Sequence, residues 1–111
     1  MQIVRTRAFE KSLKKLGATT DDLAKLEAEI ANNPAAGDVI PGLHGVRKIR
    51  FAMKGRGKRG GGRAVYFVIW SRTAAYLVLA YDKTVQADLS EAQRKLVLTI
   101  AKELSSENYE T

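Results

Sequence analysis

Cysteine is absent from this chain of 111 residues, and histidine occurs once, as His44. The first absence excludes a disulfide scaffold, a thiolate zinc site, an iron–sulfur cluster and a cysteine nucleophile. The second excludes a histidine-rich metal centre and makes any Ser-His-Asp arrangement depend on that one residue. No run approaches the roughly 20 apolar residues of a membrane span. The opening MQIVRTRAFEKSLKK contains no apolar stretch of the kind a secretory signal needs. The expected location is the cytoplasm.

Acidic residues are missing from one long segment. None occurs between Asp38 and Asp82, yet nine bases do: Arg47, Lys48, Arg50, Lys54, Arg56, Lys58, Arg59, Arg63 and Arg72. The remainder carries ten bases against twelve acids, so the whole net charge of +7 arises here. A merely solvated face mixes both signs, because like charges repel. Such crowding points to a polyanionic partner. Nucleic acid is the first candidate and an anionic membrane surface the second.

The length suits one domain spanning residues 1–111, and 45% hydrophobic with 28% charged residues is an ordinary globular balance. Gln2 to Thr6 alternates weakly, as a short strand does. Phe9, Leu13 and Leu16 form one stripe of a helix that Gly17 can end. Thr20 before Asp21 and Asp22 reads as the cap of a second helix, with Leu23, Leu26 and Ile30 as its buried face beside Ala24 and Ala31. Asn32-Asn33-Pro34 closes that helix, and the two should fold back as a hairpin. Residues 34–45 read as loop.

Strand patterns follow. In Val46 to Phe51, Ile49 and Phe51 fall on one face and Lys48 and Arg50 on the other. Arg63 to Trp70 is an almost unbroken run of β-formers, which predicts a central strand buried on both sides. Ser71-Arg72-Thr73 is a turn, and Ala74 to Tyr81 is the antiparallel partner. Ser90 and Gln93 form a capping box that opens a last helix, with Leu96, Val97, Ile100, Ala101 and Leu104 as its apolar stripe. The tail from 105 to 111 should fray. The predicted class is α+β: a small antiparallel sheet packed by an N-terminal helical hairpin and a C-terminal helix, in the order β-α-α-β-β-β-α.

The stretch from Lys54 to Arg63, KGRGKRGGGR, satisfies G-x-G-x-x-G at Gly55, Gly57 and Gly60. Its context does not fit a dinucleotide site, because the loop joins strand to strand and opens no helix. Gly57-Lys58 is followed by Arg59 in place of Ser or Thr, so it is no P-loop. Glycines that only permit turning would explain the bend but not the five cations among them. A mobile arm that sets Lys54, Arg56, Lys58 and Arg59 against phosphates explains both.

Lys48 and Arg50 either protect an edge strand or, with Arg63 and Lys83, converge on one end of the sheet. Phe51, Tyr66, Phe67, Trp70 and Tyr76 read as core. Tyr81, ending its strand beside Asp82 and Lys83, is the aromatic expected to reach RNA. His44 reads as a loop histidine bonded to backbone. With no carboxylate inside the basic segment, metal-assisted hydrolysis is not expected, and neither a metal nor another cofactor is called for. RNA cleavage here would proceed by attack of the ribose 2′-hydroxyl on its own phosphate, with Arg and Lys holding the developing charge.

Several blocks occur together and in order: GDVIPG at 37–42, GVRKIR at 45–50, the glycine-rich KGRGKRGG at 54–61, RAVY at 63–66, and YDKT at 81–84 followed by DLS at 88–90. In this the chain resembles the RelE/HigB toxins of bacterial toxin–antitoxin systems, and most the HigB-like branch. The resemblance implies a microbial-RNase-like fold and a ribosome-dependent, metal-independent endoribonuclease that cuts mRNA in the decoding site. It implies contact with ribosomal RNA and a cognate HigA-like antitoxin with a helix-turn-helix DNA-binding domain. Carried over by position, Lys48 and Arg50 form the basic pair of the first sheet strand, one candidate base. Arg63 holds the scissile phosphate, Tyr81 stacks on or orients the RNA, and Lys83 is a general acid or charge stabiliser. Lys54, Arg56, Lys58 and Arg59 grip the RNA or the ribosome. A ParE-like gyrase inhibitor without enzymatic activity, or a non-cleaving RNA-binding module, is the alternative. Asp82, Thr84 and His44 depart from the pattern, His44 at a usual glycine. Asp82 is placed to pair with Lys83 and blunt it.

Overall fold

The structure, a computed structural model, describes residues 1–54 and 57–107, and at 57–60 and 107 the backbone alone. Strand β1 (Gln2–Arg5) leads into α1 (Arg7–Leu16) and α2 (Thr20–Asn32). Strands β2 (Asp38–Val39), β3 (Arg47–Met53) and β4 (Gly57–Ile69) follow, then a short 3-10 turn at Trp70–Arg72, β5 (Ala74–Asp82) and α3 (Glu91–Glu107). The sheet order is β1-β5-β4-β3-β2. All neighbours are antiparallel except β1, which runs parallel to β5 because the whole intervening chain, not a hairpin, connects them. The α+β class holds, with one parallel edge and one additional strand. Val39 and Asp38 pair with Arg47 and Lys48, so part of the segment read as loop is a two-residue strand.

Local chemistry sets the helices. Thr6 caps α1 by accepting from the Phe9 amide at 3.2 Å, and Gly17 ends it at φ 75°, a left-handed conformation that glycine adopts without a Cβ clash. The cap of α2 is Thr19, one residue before the predicted Thr20. Thr19 Oγ1 accepts from the Asp22 amide while the Asp22 carboxylate accepts from the Thr19 amide, a reciprocal box that only the i, i+3 spacing allows. At the start of α3 the predicted box forms: the Gln93 amide donates to Ser90 Oγ at 3.1 Å, and the Ser90 amide to Gln93 Oε1 at 2.9 Å. The helix continues to Glu107, through residues expected to fray; 108–111 lie outside the described residues.

The sheet has a helix-bearing layer on each face. Phe9, Leu23, Leu26 and Ile30 from α1 and α2 cover Ile49, Phe51, Ala64, Tyr66 and Leu77. Full burial of a side chain such as Phe9 contributes about 1.5–3 kcal/mol. Val97 and Ala101 of α3 cover the other face, over Val65, Phe67, Val78 and Leu79. Ala24 and Ala31 are exposed, so the buried face of α2 is narrower than its composition suggests. Leu96 is also exposed, at 43%, because the helix turns its Val97–Ala101 side to the sheet. Trp70, expected in the core, is 61% exposed: β4 stops at Ile69 and Trp70 opens the turn.

Two backbone features aim the site. Between Val65 and Tyr66 the ladder steps from Leu79 to Leu77, so β5 carries one extra residue, Val78. This bulge moves the α3-facing set of β5 from Ala74, Tyr76 and Val78 to Leu79 and Tyr81. The KGRGKRGGGR stretch is the second. Most of it is strand, since β4 begins at Gly57. Gly62 lies opposite Phe51, and a Cβ there would overlap the Phe51 ring, so this glycine is explained by packing.

Candidate active site

Three side chains form a row across the centre of the sheet. Arg50 on β3 is in register with Arg63 on β4, and Arg63 is in register with Tyr81 on β5. Residues in register share a face, so the row stands on the α3 side of the sheet. A cavity of about 500 Å³ opens there. All five residues proposed for catalysis line it: Lys48, Arg50, Arg63, Tyr81 and Lys83. The period-2 alternation of β3 brings Lys48 beside Arg50. Both readings of that pair can now be separated: β2 covers β3 at Lys48, so lysine there is not guarding an open edge, whereas Arg50 stands beyond the cover.

Arg63 is the least ordinary of these groups. It is 4% exposed, and its one described side-chain hydrogen bond is from Nη1 to the Gly62 carbonyl at 3.2 Å. Burial lowers its pKa, and the facing Arg50 charge lowers it further, with Tyr81 opposing. Among the described residues no carboxylate forms an ion pair with it. A guanidinium stays protonated under such conditions, so the site holds a buried positive charge with no carboxylate ion pair among the described residues. Such a charge destabilises a protein unless an anion supplies the missing partner.

Tyr81 is buried at 4% exposure, against the expectation of an exposed ring that stacks on RNA. The bulge at Val78 turns it under α3, and its hydroxyl is buried without a hydrogen-bond partner among the described residues. Burial, then Asp88, raise its pKa above the usual tyrosine range, while Arg63 opposes them. It is therefore a neutral phenol at physiological pH, able to donate or accept.

The cavity also has acidic walls that were not expected. Glu29 from α2 and Asp38 from β2 line it, and Asp88 Oδ1 lies 3.9 Å from Lys48 Nζ. The basic segment itself lacks carboxylates, but antiparallel return of the chain at residues 40–46 sets Asp38 opposite Lys48. The Pro41-Gly42 turn beside the strand pattern was the available signal. Glu29 had none, because its approach depends on how α2 lies on the sheet. Asp82 is committed elsewhere: its Oδ1 accepts from the Thr84 amide at 2.9 Å and from Thr84 Oγ1 at 2.6 Å. Thr84 thus supplies the hydroxyl that holds the turn before Lys83's cavity wall, in place of the expected Asp82–Lys83 pairing.

The remaining candidates do not line the cavity. Lys54 is exposed at the β3–β4 turn. Arg56 lies outside the described residues, as do the side chains of Lys58 and Arg59. His44 is exposed at φ 55°, away from the site, and this left-handed backbone accounts for the glycine usual there. Among the described residues no group of His, Cys, Asp and Glu is arranged to hold a metal ion. No described helix is long and apolar enough to cross a membrane.

A family model described as the RelE toxin of the RelE/RelB toxin–antitoxin system matches residues 1–111. The isolated RelE toxin of E. coli is 24% identical with a TM-score of 0.56, over 89% of this chain and 97% of that one. A doubly substituted E. coli RelE in the free state is 21% identical with a TM-score of 0.56, over 78% and 86% of the two chains. A chain of the intact E. coli RelBE toxin–antitoxin complex is 23% identical with a TM-score of 0.55, over 73% and 94%. These solved structures share the fold.

Proposed function

The chain belongs to the RelE family of toxins from toxin–antitoxin systems, and on that premise we propose that it is a ribosome-dependent endoribonuclease that cuts mRNA in the decoding site. The observation that carries the reading is Arg63: a buried guanidinium facing Arg50 with no carboxylate partner among the described residues, beside an unpartnered Tyr81 hydroxyl. A phosphodiester satisfies all three groups at once. Its non-bridging oxygens accept from Arg63 in a forked geometry, and the phenol reaches an adjacent oxygen.

The reaction is transesterification. The ribose 2′-oxygen attacks phosphorus, its proton passes to a base, and the bond to the 5′-oxygen breaks as that oxygen gains a proton. The products are a 2′,3′-cyclic phosphate and a free 5′-hydroxyl. Arg63 and Arg50 stabilise the added charge on the pentacoordinate phosphorus. The Asp38 carboxylate opposite Lys48 receives the first proton, a role open to Lys48 only as the neutral amine; Tyr81 or Lys83 supplies the second. None of these groups forces the RNA into in-line geometry, so the ribosome is assigned that task. The glycine-rich block at 54–61 supports the HigB-like branch. A protein antitoxin, RelB-like or helix-turn-helix and HigA-like, is the expected partner, and the toxin acts in the cytoplasm with its ribosomes.

Primer extension on a defined mRNA, with and without translating ribosomes, tests the reading. Cuts only with ribosomes are expected. Cuts in naked RNA would reassign the in-line geometry to the protein itself. No cut in either reaction would overturn the nuclease and favour a ParE-like gyrase inhibitor or a passive RNA binder.

A further inference from the structure

Asp22 does not line the cavity, yet it is one of the few charged residues among those described that the fold buries, at 8% exposure. As the third residue of α2 it completes the capping box, accepting from the Thr19 amide through Oδ2 at 2.9 Å. The same oxygen accepts from the Lys54 amide at 3.2 Å, 32 residues away. A helix cap has no need of that second bond. It ties the N-terminus of α2 to the point where β3 ends and the most basic stretch of the chain begins.

The strand ladder does not hold this point by itself. Phe51 pairs with Gly62 and Met53 with Gly57, so two steps along β3 correspond to five along β4. Three residues of β4 have no counterpart, so regular pairing is interrupted just before Lys54. A buried carboxylate that accepts two backbone N–H groups can hold this point, because charge-assisted bonds are short, directional and roughly twice as strong as neutral ones. The two acceptances, and Lys25 nearby, also lower the Asp22 pKa, so the anion is present under all physiological conditions.

We propose that Asp22 is a positioning residue for Lys54, its carboxylate fixing the Lys54 backbone against α2 so that this lysine is presented to RNA in one orientation. The proposal rests on the reading of the protein as an RNA-directed toxin and extends it to a residue outside the cavity.

Three variants separate anchoring from helix capping. T19A removes the hydroxyl half of the box and leaves the Lys54 contact. D22E keeps a good capping residue, since glutamate is the usual third member of the box, but displaces the anchoring oxygen by one methylene. D22N keeps the size and removes the charge. Hydrogen exchange at the Lys54 amide reads the anchor directly. Binding of a labelled single-stranded RNA oligonucleotide against salt, and kcat and KM for ribosome-dependent cleavage, read its consequence.

The expected result is that D22E and D22N lose about ten-fold in Lys54 protection and bind the oligonucleotide about five- to ten-fold more weakly. KM should rise with kcat little changed. T19A should lose thermal stability while keeping both Lys54 protection and RNA affinity. Equal losses of affinity in T19A and D22E would reduce Asp22 to a helix cap and overturn the proposal. So would unchanged affinity in D22E once the Lys54 amide is freed. If D22N does not fold, D22E with T19A still decides. A wild-type protein that binds neither the oligonucleotide nor ribosomes would sink the functional reading, and the positioning role with it, while Lys54 exchange would still report the anchor.

Discussion

Arg50 and Arg63 stand directly opposite one another on β3 and β4, like charges in register on the α3 face of the sheet. Such a pair destabilises a sheet by roughly 0.2–1 kcal/mol where opposite charges would stabilise it. The burial of Arg63 adds to that cost. The proposed phosphate-holding role, not folding, would account for the arrangement, and substitution should separate the two.

Arg63→Ala is expected to abolish ribosome-dependent cleavage and growth arrest, by at least about 100-fold in rate. Its melting temperature should equal or exceed that of the wild type, because a buried charge with no carboxylate ion pair among the described residues is removed. Primer extension paired with a thermal melt checks both halves. Full toxicity in a folded variant would remove Arg63 from the active site.

Tyr81→Phe deletes a hydroxyl that is buried without a partner among the described residues. Stability should hold or rise by up to about 1 kcal/mol, since no hydrogen bond is lost. Cleavage should fall about 10- to 100-fold if the phenol moves a proton or holds the phosphate. An unaffected rate would leave Tyr81 as packing for α3.

Gly62→Ala places a methyl group into the Phe51 ring, which is 2% exposed and has little room to retreat. A loss of about 1–3 kcal/mol in urea unfolding is expected. The double variant with Phe51→Leu should recover part of it. Were Gly62 instead needed for backbone approach to RNA, stability would be untouched and only RNA affinity would drop.

His44→Gly should stabilise the protein by about 1 kcal/mol, raising the urea midpoint at constant m-value, because His44 sits at φ 55°. Cleavage should be unchanged, as His44 does not line the cavity.

Asp22 makes stability depend on acid. Its folded pKa is lowered, mainly by the Thr19 amide, then further by the Lys54 amide. A lowered pKa means the contribution is complete above the unfolded value near about 4 and disappears as pH falls through the folded value. D22N should therefore be less stable than wild type at neutral pH, with the gap closing below about pH 4. A gap that stays constant down to pH 2 would contradict this linkage.

Much of the molecule is written locally. The Phe9–Leu13–Leu16 stripe, the Gly17 stop, the Ser90–Gln93 box and the alternation that puts Lys48 and Arg50 on one face all follow from backbone period and side-chain reach, which neighbouring residues set. Those patterns suffice for the α+β class and for most of the cationic surface. Tertiary structure alone decided how that surface is assembled. The extra residue at Val78 turned Tyr81 from an exposed end of a strand into a buried phenol beside Arg63, and a bulge has no signature in the period of its own strand. The return of β2 and the placement of α2 brought Asp38 and Glu29 to a segment with no acids of its own. Register and helix placement depend on contacts between residues tens of positions apart, so the order of residue types along the chain cannot express them.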